Sequence, residues 1–157
     1  PGLADGGDRA HLNYYLNKIN SQGNEDGITK KIYDAFTLGR AAIVAKDYDE
    51  RDKQAAIVAA EISKVVGYKA FYYIEKGSGY ITEGKWAAAH HALSEAYGFI
   101  LGMQFTKAAD GEPYMTNGEV NTMLDALAAG NGFWDRTPAE LDDMAAQLKA
   151  ATGLSSP

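Results

Sequence analysis

Apolar side chains in this sequence recur at steps of three and four residues, and no segment alternates apolar with polar residues as a β-strand does. An α-helix turns about 100° per residue, so this spacing collects the apolar side chains on one helical face. The segment from residue 26 to 46 shows the pattern clearly, with one stripe formed by Ile28, Ile32, Ala35, Phe36, Gly39, Ala42 and Ile43. The chain is therefore predicted to be all-α.

Six helices are predicted from this periodicity and from the polar, glycine-containing turns between them. Their approximate ranges are 8–20, 26–46, 50–76, 83–105, 118–129 and 138–152. The last has the most complete local signature, with Thr137 as N-cap, Pro138 at the first helical position, Glu140 closing a capping box and Gly153 just past the end. Short connections favour a mostly antiparallel bundle, and 157 residues fit a single helical domain over 1–157.

Composition excludes several classes of partner and site. The chain has 15 basic and 21 acidic residues, a net charge of −6, and no concentrated basic stripe, which argues against a nucleic-acid partner. There is no cysteine, so disulfides, thiolate metal sites and a cysteine nucleophile are excluded. Any metal ion would have to be bound by His, Asp or Glu.

No membrane-spanning segment is predicted, because charged residues and glycines interrupt every apolar stretch before the roughly 20 residues that a bilayer requires. The chain begins at Pro1 without an initiator methionine or a charged-then-apolar leader. We therefore expect it to be a processed product or a fragment.

Two adjacent histidines lie within the predicted fourth helix, in the stretch KWAAAHHALSEAYGFILGMQ. His90 shares a face with the large apolar residues Trp86, Leu93, Tyr97 and Leu101. That environment is typical of a core histidine whose ring nitrogens are hydrogen-bonded to the protein.

His91 lies on another face, four residues before Glu95 and among small residues such as Gly84, Gly98 and Gly102. The imidazole and the carboxylate could both bind one metal ion, with a third ligand from another helix, or the carboxylate could orient the imidazole for proton transfer. In the competing interpretation the small residues permit close helix packing and His91 simply bonds Glu95. His91 and Glu95 are the candidate metal ligands.

Arg40 lies on an otherwise apolar stripe and could bind an anion. A buried arginine more often pairs with a carboxylate, so we expect an ion pair with Asp34 or Glu61. The aromatic segment KAFYYIEKGSGY could stack a flat ligand, but aromatic residues at helical spacing usually belong to a core.

Large apolar residues crowd into and just after the fourth helix, and a short bundle has little room to bury them all. They are Phe99, Met103, Tyr114, Met115, Phe133 and Trp134. An exposed apolar cluster marks an interface, and aromatic anchors carry most of the binding energy there. We expect Trp134, Phe133 and Met115 to contact another protein chain or a second copy, with Trp134 near the centre.

Three stretches together resemble a known family: AFTLGRAAIVAKDYDERD, AAAHHALSEAYGFILGMQF and GFWDRTPAELDDMAAQL. They are similar to the C-terminal portion of the bacterial proteins grouped as domain of unknown function 4856, over about residues 28–153. The resemblance implies a larger, two-part secreted or lipid-anchored protein of the periplasm or outer membrane. It also implies an earlier copy of the HHALSE motif, which this sequence lacks, so a site shared between the two parts would be incomplete here.

The layout is also similar in style to imelysin-like helical proteins of bacterial iron uptake. Their motif is Gly-x-His-x-x-Glu, whereas His91 and Glu95 have a different spacing and no glycine lies two residues before His91.

These observations lead to two main hypotheses of function. The first is a non-enzymatic bacterial envelope binding protein that handles a metal ion or metal complex through His91 and Glu95. The alternative is a structural or interaction module that packs against a partner chain or a missing N-terminal half. A hydrolase with His91 as base ranks last, because no nucleophile or metal triad accompanies it.

Overall fold

The all-α prediction is confirmed by a computed structural model, which describes residues 11–21 and 27–155. Within those residues there are six α-helices and no β-strand: α1 (His11–Ser21), α2 (Ile28–Ala45), α3 (Tyr48–Thr82), α4 (Trp86–Gly102), α5 (Asn117–Ala128) and α6 (Pro138–Thr152). Short 3-10 turns follow α4 at Met103–Phe105 and precede α6 at Gly132–Asp135. None of the helices in the described ranges is both long and apolar enough for a membrane span.

The main departure from the predicted helix ends is in α3. Its end was predicted at about residue 76, before the glycines of GSGYITEG, but α3 continues through them to Thr82. Gly77 and Ser78 are buried there, and the Ser78 hydroxyl donates a hydrogen bond to Oδ1 of Asp142 at 2.7 Å. Packing with α4 and α6 therefore outweighs the weak helix propensity of glycine.

The described residues group into two compact units, with the division inside α3 between Val65 and Val66. The first unit contains α1, α2, the beginning of α3 and residues 107–112. Its helices α1 and α2 contact each other. Its buried apolar side chains are Leu16, Ile19, Ile28, Ile32, Ala35, Ala42 and Val65.

The second unit contains the rest of α3 together with α4, α5 and α6. Each of these helices contributes fully buried side chains to its core. The largest apolar ones are Tyr68, Phe71, Ile74, Leu93, Ile100, Met103 and Leu127. This unit holds His90, His91 and Trp134.

Matching capping boxes begin α5 and α6. The Thr137 hydroxyl accepts from the Glu140 backbone N–H at 3.4 Å, and the Thr137 N–H donates to the Glu140 carboxylate at 2.8 Å. Thr116 and Glu119 repeat the arrangement at α5, although the sequence analysis did not identify this second box. Hydrogen bonds from the Thr137 backbone and hydroxyl lower the pKa of Glu140 below its usual value. The predicted start of α6 and its capping box of Thr137 and Glu140 are thus confirmed.

Replacement of Thr137 by Ala is expected to lower the free energy of unfolding by about 1 kcal/mol, because the first turn of α6 loses its side-chain cap. Thr137→Ser keeps the hydroxyl and should keep most of that stability. Urea unfolding followed by circular dichroism compares the two. Equal midpoints for the Ala and Ser variants would show that the cap does not stabilise the protein.

Two glycines of α3 provide a matched test of the contact between α3 and α4. A Cβ at Gly77 would lie 2.5 Å from Cδ2 and 2.9 Å from Cγ of Leu93, whereas a Cβ at Gly79 would meet nothing within 4 Å. Gly79→Ala should therefore stabilise the helix by about 0.5–1 kcal/mol, while Gly77→Ala adds an overpacking cost of about 1–3 kcal/mol. Chemical unfolding of both variants measures the difference, and a Gly77 variant as stable as the Gly79 variant would contradict this packing.

Candidate functional site

The orientation of α4 decides which of its side chains can bind anything. It buries a face made of Ala89, Ala92, Leu93, Ala96 and Ile100. At about 100° per residue, His91 points roughly opposite to the centre of that face, and its side chain is exposed. Glu95, one turn later, is half-buried.

The surface around His91 and Glu95 is open. A Cβ added at Gly84 or Gly98 would meet no atom within 4 Å, whereas one at Gly102 would lie 3.2 Å from Cγ1 of Val66, so of these three glycines only Gly102 serves close packing. In the described part of the chain no hydrogen bond or ion pair joins the two side chains. The predicted bond between His91 and Glu95 is therefore absent, while the close packing that the same interpretation predicted is present at Gly102.

A metal ion would find only part of a site at this surface. Among residues 11–21 and 27–155 no group of three or more His, Asp or Glu side chains is arranged to bind a metal ion. Structural zinc sites in proteins use four ligands and catalytic ones three. The metal role of His91 and Glu95 stays a prediction, and remaining ligands would have to come from elsewhere.

His90 differs from the core histidine that we expected. Its side chain is half-buried, and its ring lies between two tryptophans, with centroids 4.4 Å from Trp134 and 6.3 Å from Trp86. Its Nε2 is buried and accepts or donates no hydrogen bond within the described residues. The predicted hydrogen bonding of this nitrogen is thus absent there, and aromatic packing takes its place.

The three predicted interface residues have different environments. Trp134 is 69% exposed, Phe133 is half-buried, and Met115 is buried, with 7% of its surface accessible. Met103 is also buried, so the chain itself packs part of the apolar cluster that seemed too large to bury. An interface role for these residues remains a prediction. Trp134 is the most exposed of the three and so the most accessible to a partner.

A hydrogen-bonded turn presents Trp134. The Asp135 carboxylate accepts hydrogen bonds from the Asn131 backbone N–H at 2.8 Å and from its side-chain amide at 3.2 Å. These hydrogen bonds lower the pKa of Asp135, and the bond from the Asn131 backbone N–H has the largest effect. Arg136 donates to the carbonyl oxygens of Ala126 and Ala129 at 2.7 and 3.1 Å. The interface role of Phe133 and Trp134 was predicted from the sequence, but this hydrogen bonding was not, although the spacing of Asn131 and Asp135 was a usable signal.

Arg40 corrects another expectation. Lys30 pairs with Asp34, and Glu61 is engaged by Lys64 at 3.2 Å, so neither carboxylate pairs with Arg40. Asp34 lies six residues before Arg40, a separation that points the two side chains about 120° apart on a helix. Arg40 is exposed instead of buried and lies at an apolar groove between α2 and α3.

The tyrosine-rich segment of α3 is packed as a core. The Lys69 ammonium is fully buried and lies 4.3 Å from the ring centroid of Tyr72, which in turn stacks on Tyr68 at 5.8 Å. Burial raises the pKa of Tyr68 to about 12. Because these rings contact one another and Lys69, the core interpretation of this segment fits better than a flat-ligand site.

One family model matches the chain, that of the domain of unknown function (DUF4856), over residues 3–155. No curated protein and no solved structure matches the chain.

Addition of Zn²⁺ is expected to leave the melting temperature of the chain unchanged, because two ligands bind the ion far more weakly than a complete site does. Thermal unfolding with and without Zn²⁺ measures this. A rise abolished by both His91→Ala and Glu95→Gln would contradict the expectation and establish an ion site. Glu112→Gln, at an exposed carboxylate that is not part of α4, is the control for loss of one negative charge.

Proposed function

The chain belongs to the family of the domain of unknown function DUF4856, and we propose that it is a non-enzymatic interaction module that docks onto a protein partner through exposed aromatic residues. The observation that carries the proposal is Trp134, which is 69% exposed although its ring packs on His90. Exposed tryptophans on an ordered surface are typical anchors of protein interfaces.

The surface around Trp134 extends along α4. Trp86, His90, Tyr97 and Leu101 lie within about 60° of one another on the helix. Trp86, Tyr97 and Leu101 are exposed, in contrast to the buried face that carries Leu93. We call these four residues together with Trp134 the Trp134 surface. Exposed apolar side chains that share one helical face support docking better than scattered ones do.

The turn that holds Trp134 supports the same role. Association costs less free energy when the contacting side chain is already held in place, because less freedom is lost on binding. Asp135 and Arg136 fix the backbone on the C-terminal side of Trp134 by hydrogen bonds to Asn131, Ala126 and Ala129. Trp134 is thus presented by an ordered turn.

A second copy of the chain is the partner that fits this surface. In a two-fold symmetric contact the same patch of both copies forms the interface. A charged group on the patch would therefore lie near a group of the same charge on the other copy. The Trp134 surface contains no lysine, arginine or carboxylate. Self-contact therefore brings large apolar groups together without repulsion between fixed charges.

Two further elements of the proposal have narrower support. A location in the bacterial envelope, in the periplasm or at the outer membrane, is supported by the resemblance to larger secreted family members, and fractionation of the source cells tests it. Handling of a metal ion through His91 and Glu95 is supported by the open surface around them. It would require additional ligands from a partner.

Trp134→Ala is expected to convert a dimer of the chain into monomers, because removal of a central aromatic anchor typically costs 2 kcal/mol or more of binding free energy, about 30-fold in affinity. Size-exclusion chromatography with light scattering over a concentration series measures the change. Val44→Ala removes another exposed apolar side chain, on α2, and should leave the dimer intact. A wild-type chain that is monomeric throughout the series would overturn the proposal.

A further inference from the structure

An apolar groove of about 530 Å³ runs between α2 and the first part of α3, within the first unit. Two helical stripes line it, with Phe36 and Ile43 from α2 and Ala55, Val58 and Ile62 from α3. The spacing of each stripe, in steps of three, four or seven residues, places its side chains on one helical face. Both helices therefore turn apolar side chains toward the same groove.

These side chains are accessible. Phe36 is 55% and Ile43 is 53% exposed, although both belong to the same helical stripe as Ile32, which is fully buried. Amphipathic helices normally leave polar residues on their accessible side. The groove thus offers water-accessible apolar surface of the kind that binds ligands, and its volume lies within the usual range of about 300–1,000 Å³ for ligand sites.

Arg40 and Arg51 are the charged residues that line the groove. Arg51 is engaged, since its guanidinium contacts the Asp52 carboxylate at 2.7 Å and lies 5.0 Å from the Tyr48 ring centroid. Within residues 11–21 and 27–155, Arg40 has no ion pair or side-chain hydrogen bond. A guanidinium is always charged at neutral pH and matches a carboxylate with two parallel hydrogen bonds.

A smaller depression of about 290 Å³ adjoins the groove and shares two of its residues, Phe36 and Arg40. Its other lining residues are Tyr33 and Thr37. The Thr37 hydroxyl donates a hydrogen bond to the Tyr33 carbonyl oxygen at 2.9 Å. Tyr33 and Arg40 therefore line the same hollow, and each of these side chains carries a hydrogen-bond donor. Apart from Phe36, the side chains that line this depression are polar or cationic, whereas most of those that line the groove are apolar.

We propose that the groove between α2 and α3 binds a long-chain carboxylate, with the alkyl chain along the apolar stripes and the carboxylate at Arg40. One guanidinium balances the single negative charge of a carboxylate, and Tyr33, which lines the depression that adjoins the groove, carries a further donor. Buried methylenes of the chain supply the remaining affinity, at about 0.8 kcal/mol for each one fully removed from water. This inference concerns the first unit and does not depend on the Trp134 surface.

A protein helix or a second copy fits the groove less well. A helix about 10 Å in diameter would lie only partly within a groove of about 530 Å³, whereas an alkyl chain is thin enough to lie within it. A second copy docked groove to groove would bring the arginines of both chains together, with no counterion for Arg40 among the described residues. A long-chain carboxylate is thin enough for the groove, and its negative charge balances the charge of Arg40.

The test uses sodium dodecanoate below its micelle concentration, titrated calorimetrically into the whole chain. One molecule should bind per chain, and Arg40→Gln should weaken binding by about tenfold or more, because a charge-assisted hydrogen bond is lost. Lys30→Gln removes the same charge from α2 outside the groove and should leave binding unchanged. Octanoate, four methylenes shorter, should bind at least about tenfold more weakly.

Ile43→Ser tests the apolar end independently and should also weaken binding, since this exposed position tolerates a polar residue without loss of fold. Circular dichroism confirms that each variant remains helical. No binding of dodecanoate by the wild type, or equal binding by the wild type and Arg40→Gln, would overturn the proposal. It is also overturned if Ile43→Ser dissociates a dimer without changing the affinity for dodecanoate, because the groove would then be an interface.

Discussion

The close contact between α3 and α4 at Gly77 is the constraint on which the surfaces of the second unit depend. Leu93 lies where a side chain at position 77 would be, and it is fully buried. That contact fixes the rotation of α4 about its axis. Once Leu93 points inward, the spacing of the helix places Trp86 and Tyr97 at the edge of the buried face and His91 roughly opposite to it. Binding surfaces therefore follow from a packing contact that contains no functional residue.

Local polar interactions then determine how Trp134 is presented. The connection from α5 to α6 is held by the Asp135 carboxylate, by the Arg136 guanidinium and by the capping box of Thr137 and Glu140. Each satisfies backbone groups that the helix ends leave without partners. Because this segment is hydrogen-bonded on both sides of the turn, an exposed tryptophan is compatible with an ordered surface. The two proposed sites differ in chemistry: one is aromatic without fixed charge, and the other combines apolar stripes with an arginine.

Helix content and several helix ends could be predicted from the sequence because they depend on residues within one turn of each other. The start of α6 is the clearest example, since Thr137, Pro138 and Glu140 act through local hydrogen bonds and backbone geometry. The end of α3 could not be predicted, because Gly77 and Ser78 remain helical through contacts with Leu93 and Asp142 that are distant in sequence. For the same reason, the sequence could not predict that Met115 is buried while Trp134 is exposed.

The sequence by itself determined that the chain is all-α, that His91 and Glu95 are neighbours on α4, and that Trp86, His90 and Tyr97 share a stripe. These are consequences of helical periodicity alone. Only the tertiary structure decided that the His91 surface is open without a third ligand among the described residues, and that Arg40 lacks the predicted ion pair. It also decided that His90 packs on Trp134, 44 positions along the chain. The physical reason is that such contacts form only when two helices pack together. The apolar pattern of each helix is compatible with many packing arrangements.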